Sequence, residues 1–338
     1  GRGSGRGRGD DDGGGGGGDG IWVVVLLLVA AVALPALILA SVAWSTRPVS
    51  EAEQDQILSQ RYAAKEVRRC GRDPENFLYP APVSTDAAQV EQACRAQILQ
   101  WYGGRATLRL EAETREGSLL GVVAVVGLLM LLMGTTFVGH DWNSGSMSNQ
   151  LLFEPRRARV WAAKAAVVTL VGALVAGTVL AAYWTGLWGL AASRDLATGG
   201  GVVGDGFELV ARGALLAAAG ALGGYALTML FRSTVATIGV LFAVSVVGGT
   251  LIGLLGSAGG STERWQPQLN VLAFVTNELR YYDESDLPEE CFTGRGGSGE
   301  DCNGERVLTA TDGGLYLGAL LLGAGALSLG SYRRRDVP

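Results

Sequence analysis

The chain has 338 residues, 48% of them apolar and only 17% charged, and its mean hydropathy is +0.26. That balance excludes an ordinary soluble protein of this size and indicates a polytopic membrane protein. The formal charge of −5 averages over two compartments, so it identifies no partner, and binding to nucleic acid is unsupported.

In chain order, residues 1–20 are low in complexity, with three arginines diluted by four aspartates among glycines. They lack the apolar content that offsets the entropy of ordering and are expected to form a disordered cytoplasmic tail rather than an RNA-binding arm. Residues 21–43 are the first expected span: 23 residues without a charge, 14 of them Ile, Val or Leu. On the translocon scale those side chains favour insertion by roughly 5 kcal/mol. Ser41-Val42-Ala43 would be a tolerable signal-peptidase site, but the apolar core exceeds the usual stretch of about 7 to 15 residues, so an uncleaved anchor is expected.

Residues 44–116 form a long polar segment, with helical stretches around Glu51 to Arg69 and Thr85 to Trp101 and a proline- and aromatic-rich loop between Cys70 and Cys94. Residues 117–138 are a second uncharged span. One span separates the polar segment from each cytoplasmic end, which places the segment outside the cell.

Residues 139–160, GHDWNSGSMSNQLLFEPRRARV, are expected to fold back beneath the membrane. Asn143 or Ser144 would cap a short helix, Asp141 would favour its positive end, and Met147, Leu151 and Leu152 give it an apolar face. Pro155 ends it, because the residue before a proline is pushed out of the α region. Arg156, Arg157 and Arg159 oppose the dipole of the next helix and read instead as residues held on the cytoplasmic side.

Residues 161–190 are the third span, with Lys164 expected to snorkel to the inner headgroups and Tyr183, Trp184 and Trp188 to form an aromatic belt at the outer end. Span four covers 207–231, with Arg212 expected to reach the outer headgroups, and span five covers 235–256, the two joined by an inner turn with Arg232. Residues 257–312 are the second extracellular segment. Trp265 to Tyr282 is expected to be a helix lying at the outer interface or packed on the spans, and Cys291 and Cys302 follow within a run of acidic residues. Span six is 313–332, and residues 333–338 form a basic cytoplasmic tail. Basic residues in the short connections put both termini in the cytoplasm.

All four cysteines fall in the two segments placed outside, two in each, which predicts disulfides Cys70–Cys94 and Cys291–Cys302. A zinc site is disfavoured, because neither pair has metal-ligand spacing and the one histidine, His140, lies on the opposite side.

Several chemistries have no residues to support them. Lys65 is followed by Glu66 and Lys164 by Ala165, so no Walker A loop is present; G-x-S-x-G and H-E-x-x-H are absent as well. The chain is not expected to be an enzyme, nor to bind a cofactor of its own. The middle thirds of all six spans lack Asp, Glu, Lys, Arg and His, the groups with which ion-coupled carriers bind their driving ion, so any transport must be powered from outside the membrane. Gly220 and Gly224, Gly249 and Gly253, and Gly314 and Gly318 are each four apart, a spacing that permits close helix packing.

Gly139, Asp141, Gly145, Ser146, Leu151, Leu152, Pro155, the arginine cluster and Lys164 together resemble the segment between the second and third spans of ABC-2 type transporter permeases, and the terminal YRRRDV resembles the ending of actinobacterial members. That family usually has Glu at the position of Asp141 and Thr at that of Ser146. Only two lysines among 27 basic residues, with 52 glycines, also suggest a GC-rich bacterial genome. The resemblance implies an all-α permease of six transmembrane helices in a bacterial plasma membrane; of the two disulfide-bearing extracellular segments read above, the one after span one looks like an elaboration on the family plan. It also implies two copies of a cytoplasmic ATPase that bind ATP and Mg, a second permease subunit of the same or a different chain, and membrane lipid as surroundings. Asp141, Gly145, Met147, Leu151, Leu152, Pro155, Arg156 and Arg157 would then form the coupling segment that docks on the ATPase. Two alternatives stand beside this one: a basic loop that only fixes topology, and a non-transporting scaffold or sensor whose disulfide-stabilised extracellular region binds a ligand.

Overall fold

The structure, a computed structural model, describes residues 19–78, 86–105, 107–154, 156–196, 199–257, 263–283, 287, 291 and 302–334. Of the expected N-terminal tail, residues 1–18 lie outside these, as do Pro155, most of the acidic run around Cys291, and the last four residues.

Uninterrupted apolar sequence makes α1 (Asp19–Ser45) a single helix. Its last carbonyls would be orphaned, and Arg194, far along the chain, supplies donors: its guanidinium donates to the Ala43 carbonyl at 2.7 Å, the Thr46 carbonyl at 2.7 Å and the Thr46 hydroxyl at 2.8 Å. Beyond it lie α2 (Glu51–Ser59), α3 (Arg61–Arg72), α4 (Pro74–Leu78), α5 (Ala87–Tyr102) and α6 (Leu110–Arg115). A reciprocal cap starts α2, in which the Ser50 hydroxyl accepts from the Glu53 N–H while the Glu53 carboxylate accepts from the Ser50 N–H. The Cys70–Cys94 disulfide joins α3 to α5 as expected, and both cysteines are fully buried.

Next come α7 (Ser118–Asn143), the short α8 (Ser146–Phe153), α9 (Arg157–Ala192), α10 (Gly200–Phe231) and α11 (Thr234–Ser257). With α1 and a last helix, α13 (Ala310–Arg334), these supply six helices long and apolar enough to cross a membrane. By that measure the chain is a multi-pass membrane protein. Both α9 and α10 begin earlier than hydropathy suggested, at Arg157 and Gly200 rather than 161 and 207. Within the expected part of α10, Glu208 pairs one turn on with Arg212 at 2.5 Å. That ion pair, with a second bond from Arg212 to the Asn277 side chain at 2.8 Å, replaces the expected reach of Arg212 to headgroups.

The core is the trio α7, α9 and α10. Helix α10 is largely buried, whereas α11 leaves Phe242, Val244 and Val247 uncovered on a face that only lipid or another apolar surface would solvate. Small residues set the approach of α7 to α10. A methyl group on Gly134 would collide with the Ala221 carbonyl, one on Gly224 with the Leu131 carbonyl, and one on Gly220 would stand 3.3 Å from the Gly127 carbonyl. Of the other spaced glycines, Gly314 packs on Phe274, while Gly249 and Gly318 face open space.

The expected aromatic belt is mostly interior. Tyr183 and Trp184 are buried, with the Tyr183 hydroxyl donating to Ser118 Oγ at 2.7 Å and Trp184 Nε1 to the Val203 carbonyl at 3.2 Å; Trp188 is the exposed member. Burying the rings between α7, α9 and α10 while pairing each polar atom satisfies both halves of these amphipathic side chains.

The helix expected over Trp265 to Tyr282 takes one of its two expected settings, packed on the spans, but is shorter than expected. After a short 3-10 turn, α12 (Pro267–Thr276) packs on α13, but it stops at Asn277, whose φ of +78° breaks the helix. Glu278–Tyr282 then forms β1, antiparallel to β2 (Glu305–Thr309), with Arg280 opposite Val307. Tyr281 and Tyr282 in β1 and the β-branched Val307 and Thr309 in β2 favour this extended pairing. The Cys291–Cys302 disulfide closes the connection between the strands.

Candidate functional site

The elbow between α7 and α9 is built from its backbone upward. The last turn of α7 closes with the Ser144 N–H on the His140 carbonyl, and Gly145 then takes a left-handed φ of +71°, a conformation with no steric cost for glycine, to turn the chain into α8. Neither Asn143 nor Ser144 is the cap, because Gly145 occupies that position. Asp141 serves α8 differently from the expected dipole effect: its Oδ1 accepts from the hydroxyl of Ser146, the first residue of α8, at 2.8 Å.

Its other oxygen, Oδ2, accepts from Lys164 Nζ at 2.5 Å. Lys164 therefore points back into the elbow instead of snorkelling to headgroups. The side chains of Lys164 and Asp141 are only 15% and 17% exposed, so each charge depends on the other. The ammonium also lies 3.5 Å from the sulfur of Met147, which is itself buried. Three elements, α7, α8 and α9, thus meet on one carboxylate.

At its far end α8 is apolar and uncovered: Leu152 is 81% and Phe153 91% exposed. The side chain of Leu151, like Pro155, lies outside what is described. Glu154 then neutralises the start of α9. Its carboxylate accepts from the Arg156 N–H at 3.2 Å and from Arg159 Nη1 at 3.3 Å, so local helix chemistry accounts for part of the arginine cluster after all. Arg157 reaches the opposite element, donating to the Tyr332 carbonyl at the end of α13 at 3.3 Å. Arg156, the other member of the expected pair, is exposed.

Aromatic residues that sequence reasoning missed fasten the same end. Trp161 lies edge-on to Tyr225, receives that hydroxyl on its carbonyl at 2.8 Å, and donates through Nε1 to Ser328 Oγ at 3.1 Å. Trp142 meets Tyr332 edge-on, and the Arg232 guanidinium sits 4.8 Å above the Trp142 ring. The available signal was that these rings fall within a turn or two of the basic helix ends. Phe153, adjacent to the two leucines, was missed as well.

Among the described residues, no group of three or more His, Cys, Asp or Glu side chains converges to hold a metal ion. No family model matches the chain, and no curated protein or solved structure shows a significant match to it. The site's chemistry thus rests on its geometry: a helix with an exposed apolar tip, rooted through one buried ion pair in two long helices.

Proposed function

We infer that the chain is the permease subunit of an ABC-2 type exporter, working with a second permease subunit and two ATPase subunits that bind ATP and Mg. The observation that carries this reading is α8, exposed at Leu152 and Phe153 and anchored at Ser146 and Met147. An ATPase cleft that receives the two apolar side chains removes them from water, and fully burying each contributes about 1.5–3 kcal/mol of docking energy before ordering costs.

Movement of the docked tip has a defined route inward. Displacing α8 pulls on Asp141 at the end of α7 and on Lys164 near the start of α9, and both helices pack closely on α10. Close-packed helices shift as units rather than deform, so the displacement reaches the spans. The need for outside power has its own support: residues 117–138, 165–190, 213–231, 235–256 and 313–332 contain no Asp, Glu, Lys, Arg or His.

The test asks first whether an ATPase gene lies next to this one and its product co-purifies with the chain, and then replaces Leu152 and Phe153 together with Asp. Because both side chains are exposed, the permease should keep its melting temperature while the ATPase is lost. Normal co-purification and transport would remove α8 from this role and leave the non-transporting scaffold or sensor as the better reading.

A further inference from the structure

At the end of the bundle away from the elbow, the end of α1, the helices α2 and α5, and the turns after α5 and α9 enclose a cleft of 530 Å³. Its volume falls in the range of small-molecule sites, roughly 300–1,000 Å³. The walls combine two chemistries: Val49, Leu99 and Leu108 are apolar, and Arg47, Arg105 and Arg194 carry positive charge.

The charge is not balanced. Glu53 accepts from Arg105 through two bonds, at 3.1 and 2.9 Å, and from Arg47 at 3.3 Å, so one carboxylate serves two guanidinium groups. Arg194 spends its donors on the neutral carbonyls and hydroxyl that end α1. Asp195, next to it in sequence, is exposed and does not line the cleft. Three cations against one anion leave a surplus of two positive charges around an apolar floor.

The position of the mouth adds a third element. The Arg47 guanidinium lies 4.5 Å over the ring of Trp44, which is 70% exposed at the end of α1, where a tryptophan sits at the level of lipid headgroups. A ligand that follows the membrane surface would meet this stacked pair first.

We propose that the cleft is a binding site for an amphiphilic anion, a single apolar chain that carries a carboxylate or phosphate head. The head pairs with Arg47 and Arg105, whose guanidinium forks suit either oxyanion, and the chain lies along Val49, Leu99 and Leu108. The site does not depend on the coupling role of α8 and would serve an exporter or a sensor equally.

The test uses the full chain in nanodiscs of zwitterionic phosphatidylcholine, titrated with laurate, dodecyl phosphate and neutral dodecanol, with binding read by calorimetry. Laurate, dodecyl phosphate or both should bind saturably and dodecanol at least tenfold more weakly. Binding by laurate alone assigns the ligand to free carboxylates, and binding by the phosphate alone assigns it to phosphorylated lipids. R47Q should weaken the anion on the order of tenfold, the effect of losing one charge-assisted bond. V49E, which sets a carboxylate in the cleft, should abolish binding while the Cys70–Cys94 disulfide still forms. Dodecanol binding as tightly as the anions, no saturable anion binding, or unchanged affinity in both variants would overturn the proposal.

Discussion

At the end that carries the cysteines, helices and strands are joined covalently, Cys70 to Cys94 between α3 and α5 and Cys291 to Cys302 between β1 and β2, with surface ion pairs such as Glu53 with Arg105 beside them. At the arginine-bearing end nothing is covalent. There α7, α8, α9, α10 and α13 meet through the Asp141–Lys164 pair, the Trp142–Tyr332 and Trp161–Tyr225 edges, and Arg157 on the Tyr332 carbonyl near the end of α13. The contrast teaches which end is built to keep its shape and which to rearrange. A disulfide restricts the chain whatever its partners do, whereas an ion pair with aromatic edges can separate and re-form.

The contrast is broken most severely by removing a covalent tie. Replacing Cys70 and Cys94 with Ser frees a loop of 24 residues, and the helices of 51–102 should lose about 3 kcal/mol of stability. Faster hydrogen exchange confined to that segment, with the elbow unchanged, would show the two ends to be independent; equal loosening of both would not fit.

At the other end, Lys164→Met strands Asp141 with a poorly solvated charge and should cost about 2–3 kcal/mol, measured by thermal unfolding in detergent. Adding Asp141→Asn should recover part of that loss, since the pair is removed as a unit. Strict additivity of the two changes would mean that the side chains do not depend on each other.

Between the ends, Gly134→Ala puts a methyl group against the Ala221 carbonyl and should cost about 1–3 kcal/mol by forcing α7 away from α10. The same substitution at Gly318, where nothing lies within contact, should be nearly neutral. Comparable losses at both sites would contradict the close approach.

The smallest effect is a pH dependence at the cysteine end. Arg105, the Ser50 backbone and the Ser50 hydroxyl hold the Glu53 carboxyl at about 2, below its ordinary 4.5. A depressed folded value means that this contribution is complete above pH 4.5 and fades as the pH falls from there through about 2. Because Glu53 is only partly buried and open to solvent screening, the change should be slight, and Arg105→Gln should reduce it. A variant with the full wild-type acid profile would show that Arg105 is not its source.

Much of this architecture could be read directly from the residues, and the exceptions have physical causes. Uncharged runs disclosed all six long helices, since burying a charge in hydrocarbon is costly, and the pairing of cysteines within polar segments disclosed both bridges. The strands escaped notice because β1 and β2 are five residues each and pair across a long connection, leaving no local signal. Tyr183 and Trp184 were assigned to a surface belt because a helix that is apolar all round does not reveal its inward face. Lys164 was sent to the headgroups because its partner Asp141 lies 23 positions earlier and becomes a neighbour only when α7 and α9 stand side by side. The turn between α7 and α9 lies within the polar segment 139–160, but the most exposed residue of its tip, Phe153, was not among those singled out.

The central claim, that α8 is where an ATPase engages this chain, is tested most directly by a thiol at its tip. All four native cysteines are bonded, so Phe153→Cys introduces a single reactive group. In intact cells it should resist a membrane-impermeant maleimide, react with a permeant one, and be shielded when the ATPase subunit is co-expressed. Labelling from outside the cell, or equal labelling with and without the ATPase, would contradict the account.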